Sequence, residues 1–300
     1  MPLVVVGSVA LDSVVTPKET REDVLGGSAV YFSYAASYFT SVRLVAVVGD
    51  DWPPEHTGLL ESRNIDTSGL QIKPGAKTFR WRGRYFDDMN RRETLDVQLN
   101  VLDGFQPELS EECRRAPFVF LANGSPSIQL KVLEQCSGAN LVVADTMDLY
   151  INAERELLDE LLTKIDGLVL NDSEATLLTG QQDLVTAGHR VREMGPRFVV
   201  IKKGEHGAMF FSEHELYVLP AFPTDRVVDP TGAGDSFAGG MMGYLAEQGN
   251  FQPETLKKAM AYGTLVASFT VEDFSLDRLK NIDRDDLEQR MEEYRRMLSF

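Results

Sequence analysis

The chain has 300 residues, 43% hydrophobic and 25% charged, which is enough to build a sizeable core in one large or two small domains. A formal net charge of −16 argues against nucleic acid or an anionic membrane as main partner, because both need a basic surface. No apolar run is long enough to span a bilayer and Met1–Gly7 lacks a signal-peptide pattern; with Cys113 and Cys136 free of metal-ligand spacing, a reducing cytoplasm is the expected location.

Leu3 to Gly7 is a short Val-rich run ended by glycine, the pattern of a buried parallel strand. Asp12 lies just past it, where open α/β sheets bind ligands; taken alone it reads as a turn residue. Gly26-Gly27 precede a helix to Phe39, with Val30, Tyr34, Ala35 and Tyr38 at helical spacing. Paired glycines there either let a substrate lie against bare backbone or end a loop. Leu44 to Gly49 is a second buried strand, and Asp50-Asp51 after it read as a solvated turn in preference to a metal site.

From Lys77 to Asn100 the pattern changes: Phe79, Trp81 and Tyr85 interleave with Arg80, Arg82 and Arg84 before a polar turn at Asp87-Asp88-Met89-Asn90. Such alternation predicts an antiparallel hairpin with one covered and one wet face, standing off the main sheet. Aromatics alternating with Arg also suit single-stranded nucleic acid, but the overall acidity and the short extent oppose that use.

Beyond Phe118, strands and helices alternate with short links, which predicts a mostly parallel sheet covered on both faces. No repeat or linker divides the chain, so a single domain over residues 1–300 is expected. Asn171-Asp172-Ser173-Glu174, directly after the strand Gly167 to Leu170, has the spacing of a helix cap. Lys202-Lys203-Gly204 follows Val199 to Ile201 and, by default, is surface charge before a Gly-x-x-Gly hairpin. In Leu256 to Val271, the small residues Ala259, Gly263, Ala267 and Ser268 either admit a flat group or pack a helix tightly. Asp285 to Leu298 is a charged amphipathic helix that closes the domain.

The most informative stretch is Val227 to Ala246, VVDPTGAGDSFAGGMMGYLA. Asp229-Pro230-Thr231 and Gly232-Ala233-Gly234-Asp235 lead into a helix whose unpaired N–H groups and positive dipole end form an anion site. Asp235 at that mouth would repel a resting phosphate, yet it suits a general base that takes a proton from an attacking hydroxyl. GAGD alone is equally an ordinary helix cap.

The longer string DPTGAGDSFAGG resembles the C-terminal signature of the PfkB carbohydrate kinases, in the ribokinase-like superfamily, and the likeness extends over almost the whole chain. It implies a three-layer αβα fold with a mostly parallel central sheet and a small β-sheet lid, built mainly from residues 77–100 with 12–24 as a further contributor. It implies an ATP-dependent kinase acting on a hydroxyl of a sugar or polyol, with a nucleoside acceptor as the alternative and a nonenzymatic sensor as the remote one. By the same resemblance Asp235 is the catalytic base, and Gly232, Ala233 and Gly234 form the anion hole. Asp12, Gly26, Gly27 and Asn123 line the acceptor site, where Tyr31 replaces a frequent Asn and either stacks on a flat ring or packs. Asn171, Lys202, Gly204, Thr231, Gly232, Gly234 and Gly263 fall at ATP-binding positions. Glu174 reaches Mg²⁺ through water, while Asp229 and Thr231 match half of a monovalent-cation site for K⁺. A homodimer through the lid is a further implication. No Gly-x-x-x-x-Gly-Lys-Ser/Thr string occurs, so a P-loop kinase is not supported.

Overall fold

Short Val- and Leu-rich runs form the buried strands of the protein, seen in a computed structural model that describes residues 1–299. The chain divides into two compact units: Met1–Phe105 with everything from Phe222 onward, and Gln106–Ala221 between them. No separate linker marks the division: the chain leaves the first unit near Phe105 and returns at Phe222, within the irregular stretch between Leu219 and Ala233.

In the first unit, β1 (Leu3–Val6), β4 (Val42–Gly49) and β5 (Ile65–Lys73) run parallel in that order, with Leu3 opposite Val42 and Val42 opposite Ile65. A second, four-stranded sheet has the order β3-β2-β6-β7, from β2 (Ala10–Val15), β3 (Thr20–Gly26), β6 (Phe79–Tyr85) and β7 (Arg92–Gln98). Asp12 therefore lies within a strand, beside Val24 and Trp81, and not in the turn that its local sequence suggests. The β6–β7 hairpin turns at the polar stretch, and its arginines meet acids: Arg80 pairs with Asp23 and Asp51, Arg82 with Glu22, and Arg84 with Glu93. Asp51 also accepts the Thr78 N–H at 2.7 Å and Asp50 the Gly75 N–H at 2.5 Å, so the tandem acids tie loops together.

Helix α1 (Ser28–Ala36) is buried at every residue, as expected of a helix that is apolar all round. α2 is Pro54–Glu61. Near the C-terminus come α9 (Ala233–Gln248), α10 (Pro253–Thr270) and α11 (Arg284–Leu298). Small residues bring these helices close: a Cβ on Gly239 would stand 2.3 Å from the Phe32 carbonyl oxygen of α1, and one on Gly263 would stand 2.5 Å from that of Phe237 in α9.

The second unit carries β8 (Phe118–Leu121), β9 (Leu141–Asp145), β10 (Gly167–Asn171) and β11 (Phe198–Lys202), all parallel, extended by antiparallel β12 (Ala208–Ser212) and β13 (Leu216–Leu219). Its helices are α3 (Glu111–Arg114), α4 (Pro126–Gln135), α5 (Asp148–Ala153), α6 (Arg155–Leu162), α7 (Asp172–Thr179) and α8 (Leu184–Glu193). Among the described residues, no helix is long and apolar enough to cross a membrane.

The loop after α10 is fastened by two arginines, Arg278 from the following turn and Arg290 from α11. Glu272, with its side chain 6% exposed, accepts from Arg278 Nε at 2.9 Å and Arg290 Nη2 at 2.8 Å, while the Arg290 guanidinium covers the Phe269 ring. The Val271 carbonyl in turn accepts the Val228 and Asp229 N–H groups at 2.8 and 3.3 Å, which sets the start of the DPTG segment. Glu272→Ala removes the shared acceptor of Arg278 and half-buried Arg290, which keeps its bond to Ser268, and is expected to lower unfolding free energy by roughly 2–3 kcal/mol in urea titrations; a loss under about 1 kcal/mol would mean that the pair does not hold the loop.

Candidate active site

Helix α9 begins on Gly232, whose left-handed backbone (φ 75°, ψ 0°) no Cβ could share, since it would meet the Tyr31 ring at 2.3 Å. The first bond of the helical ladder runs from Ser236 N–H to the Gly232 carbonyl at 2.8 Å, and the Ala233 N–H goes back to Pro230 at 3.2 Å. The Gly234 amide lies ahead of that ladder, on a helix start able to receive an anion. Thr231 is held at both ends: its N–H donates to Asp229 Oδ1 at 2.9 Å and its hydroxyl to the Tyr85 hydroxyl at 3.2 Å. Asp235 is the third residue of α9 and half-buried, and its charge is felt by both Asp12 and Tyr31.

Asp12 is 4% exposed and receives the backbone N–H groups of Gly27 and Trp81, while its Oδ1 has no partner. Burial pushes its carboxyl from the ordinary 3.8 up to about 7; the Asp229 and Asp235 carboxylates add to the rise and the two amides oppose it. The glycine pair makes room for this group. A Cβ on Gly26 would stand 2.0 Å from Asp12 Oδ2, and Gly27 (φ 98°) lies against the Ser8 carbonyl. An unpartnered buried carboxylate oxygen beside bare backbone is suited to accept from an alcohol.

Asp229 is buried as well, with Oδ2 unpartnered, and its carboxyl rises to about 6 through burial, against the hydrogen bonds from Thr231 and Ser275. Tyr31 packs and does not stack on a ligand: it is 1% exposed, its ring lies under Gly232, and its hydroxyl has no partner. Trp81 is paired with Asp12 in the backbone register, and its half-buried indole lies over Gly83, with Nε1 donating to the Thr94 hydroxyl at 3.3 Å.

In the second unit, Asp145, Asn171 and Lys202 end three adjacent parallel strands. Asn171 and Glu174 form a capping box on α7: Asn171 Oδ1 accepts the Glu174 N–H at 2.8 Å, and Glu174 Oε2 accepts the Asn171 N–H at 2.7 Å. The helix-cap reading is thus realised, and it fixes the carboxylate. Hard oxygen donors of this kind suit Mg²⁺ held through its own waters, whereas no group of three or more His, Cys, Asp or Glu able to hold a metal directly exists among the described residues. Asn123 follows β8 in a half-buried loop. Gly204 opens a single helical turn, but the tight approach there is at Gly207, whose Cβ would meet the Leu219 carbonyl oxygen at 2.0 Å.

Gly263 departs from its expected place beside a nucleotide base. Its open side is filled by Phe237 in the α9–α10 contact, so the small-residue face of α10 serves helix packing at that position. Two residues passed over in the sequence belong with the site residues. Tyr85 is one of the alternating aromatics, and Asp145 is the acid that ends a buried apolar run, a signal that could have been read.

The pfkB family carbohydrate kinase model matches residues 3–280. A cytidine kinase of Thermococcus kodakarensis is 33% identical over 248 residues, covering 81% of this chain and 87% of that protein. The nucleoside kinase of Burkholderia thailandensis in complex with inosine shares the fold at TM-score 0.82 and 18% identity, covering 97% of this chain and 98% of the other. The aminoimidazole riboside kinase of Salmonella enterica, complexed with its riboside and an ATP analog, does so at TM-score 0.77 and 18% identity, covering 97% and 100%.

The raised Asp12 carboxyl has a signed consequence for stability. The folded protein holds this proton more tightly than the unfolded chain, so the group's contribution is fully present below about pH 4 and is lost as pH rises through about 7. Asp12→Asn cannot ionise; its melting temperature is expected to exceed that of the native protein by several degrees at pH 8, with the gap closing toward pH 4. Parallel melting curves across that pH range would show that Asp12 carries no such penalty.

Proposed function

The chain belongs to the pfkB family of carbohydrate kinases, and from that premise we propose that it moves the γ-phosphoryl group of ATP onto a hydroxyl of a nucleoside's sugar. The observation that carries this reading is the α9 start, where the backbone turn at Gly232 stands against Asp235 and Asp235 is electrostatically joined to Asp12. Asp12, with the bare backbone of Gly26 and Gly27, holds acceptor hydroxyls. Asp235 takes the proton as the acceptor oxygen attacks phosphorus; the bond to the bridging oxygen breaks and ADP leaves. The N–H groups of the helix start stabilise charge on the transferred group.

Lys202, Asn171 and the turn at Gly204 take nucleotide phosphate and ribose. Mg²⁺, held through water by Glu174, supplies charge neutralisation at the phosphates when bound. The unpartnered Asp229 Oδ2, with Thr231, is our candidate for a K⁺ contact. The exposed edge strand β7, which carries Leu95 and Val97, is where a second copy would pair.

A nucleoside is preferred to a free sugar because of the likeness to a cytidine kinase, and the half-buried Trp81 indole, on the strand that pairs with that of Asp12, is our candidate surface for a base. Asp235→Asn is expected to retain nucleotide and acceptor binding while losing about 10³-fold in kcat; near-normal turnover removes Asp235 as base. In a panel of cytidine, inosine, ribose and inositols read by ADP release, the nucleosides should give the highest kcat/KM. A preference for ribose would overturn the acceptor assignment and leave the mechanism standing.

A further inference from the structure

One buried charge pair in the second unit has a partner to which no role has been given. Lys202 ends β11 and Asp145 ends β9, with β10 between them and Asn171 level with Lys202. Lys202 Nζ stands 3.2 Å from Asp145 Oδ2, and the two side chains are 17% and 5% exposed. Asp145 is itself immobilised: Oδ1 accepts the Thr146 N–H at 2.7 Å, and its carbonyl accepts Gln129 Nε2 at 3.0 Å. Gln129, on α4, also bonds the Leu121 and Ala122 carbonyls at 3.1 Å, so the acid is braced from β8 and α4 together.

Stability alone is a poor reason for this arrangement. Burial pushes the Asp145 carboxyl up, against the pull of Lys202 and the Thr146 amide, and apolar residues in place of a buried pair are commonly neutral or stabilising. A lysine that must meet a polyanion, however, gains from being held beforehand. Its long stem otherwise loses rotamer entropy on binding, and its three N–H donors can serve a carboxylate and a phosphate at once.

We propose that Asp145 is a positioning residue for nucleotide binding: it fixes the Lys202 ammonium at the C-terminal end of β11, where it meets a phosphate. The proposal rests on the reading of Lys202 as a phosphate contact.

The test is made on the full chain with Asp145→Asn, Asp145→Glu, Lys202→Ala and the double variant Asp145→Asn/Lys202→Ala. Steady-state kinetics vary ATP and acceptor separately, and calorimetry follows binding of a non-hydrolysable ATP analogue with Mg²⁺. Asp145→Asn and Asp145→Glu should each raise KM for ATP and Kd for the analogue about tenfold, with acceptor KM within about twofold of the native value. Asp145→Glu keeps the charge and the ion pair but displaces the carboxylate by one methylene, so a purely structural pair would change its melting temperature and leave nucleotide affinity unmoved. The double variant should bind no more weakly than Lys202→Ala, since one acts through the other. Nucleotide constants within about twofold of native in both Asp145 variants, or additive losses in the double variant, overturn the proposal. If Asp145→Asn does not fold, Asp145→Glu decides. A Lys202→Ala enzyme with native nucleotide constants removes the Lys202 assignment and this proposal with it; a loss in Lys202→Ala beside intact Asp145 variants removes the proposal alone.

Discussion

Three acids, Asp12, Asp229 and Asp235, surround one buried phenol, and the first unit is organised by what it takes to keep them there. Desolvation raises the carboxyls of Asp12 and Asp229, with the Asp229 and Asp235 charges adding to the rise at Asp12 and the Asp273 charge to that at Asp229. What opposes them is backbone: Gly27 and Trp81 amides on Asp12, Thr231 and Ser275 amides on Asp229. Those amides come from the start of α1, from β6, from the DPTG segment and from the loop after α10, so four separate pieces of chain are registered by one electrostatic problem.

Neighbouring contacts join the small sheet to the start of α9. Tyr85 of β6 meets the Thr231 hydroxyl, and Val14, Tyr85 and Phe274 form a buried cluster against which Trp81 and Val228 pack. Glu272, clamped between Arg278 and Arg290, keeps the far side of that segment in place. A shift of the small sheet must either carry the Thr231 segment along or break these bonds, which makes the small sheet and the helix start mechanically dependent.

The second unit uses a different device. Polar groups are placed at the C-terminal ends of neighbouring parallel strands, the position at which such sheets bind ligands, and each is braced by its surroundings. Asn171 and Glu174 satisfy one another as a helix cap, and Lys202 is met by Asp145. Capping and ligand binding are compatible uses of the same residues, which explains why a default reading of Asn-x-x-Glu as a cap is correct without bearing on function.

Much of this was legible in the residues alone, wherever the cause is local. Hydrophobic runs gave the buried strands, period-two alternation gave the β6–β7 hairpin, and the glycine-rich start of α9 is visible because the turn and the helix it caps are contiguous. What the local pattern could not decide depends on neighbours distant in sequence. Whether Gly263 faces a ligand or Phe237, whether Tyr31 stacks or packs, and how far the Asp12 carboxyl rises are set by which atoms fill the surrounding space. From local pattern alone, without the family resemblance, Lys202 reads as a surface charge, because its partner Asp145 stands 57 positions away. Periodicity encodes the face that a residue presents, whereas packing across the fold fixes what that face meets, and only the tertiary structure supplies the second.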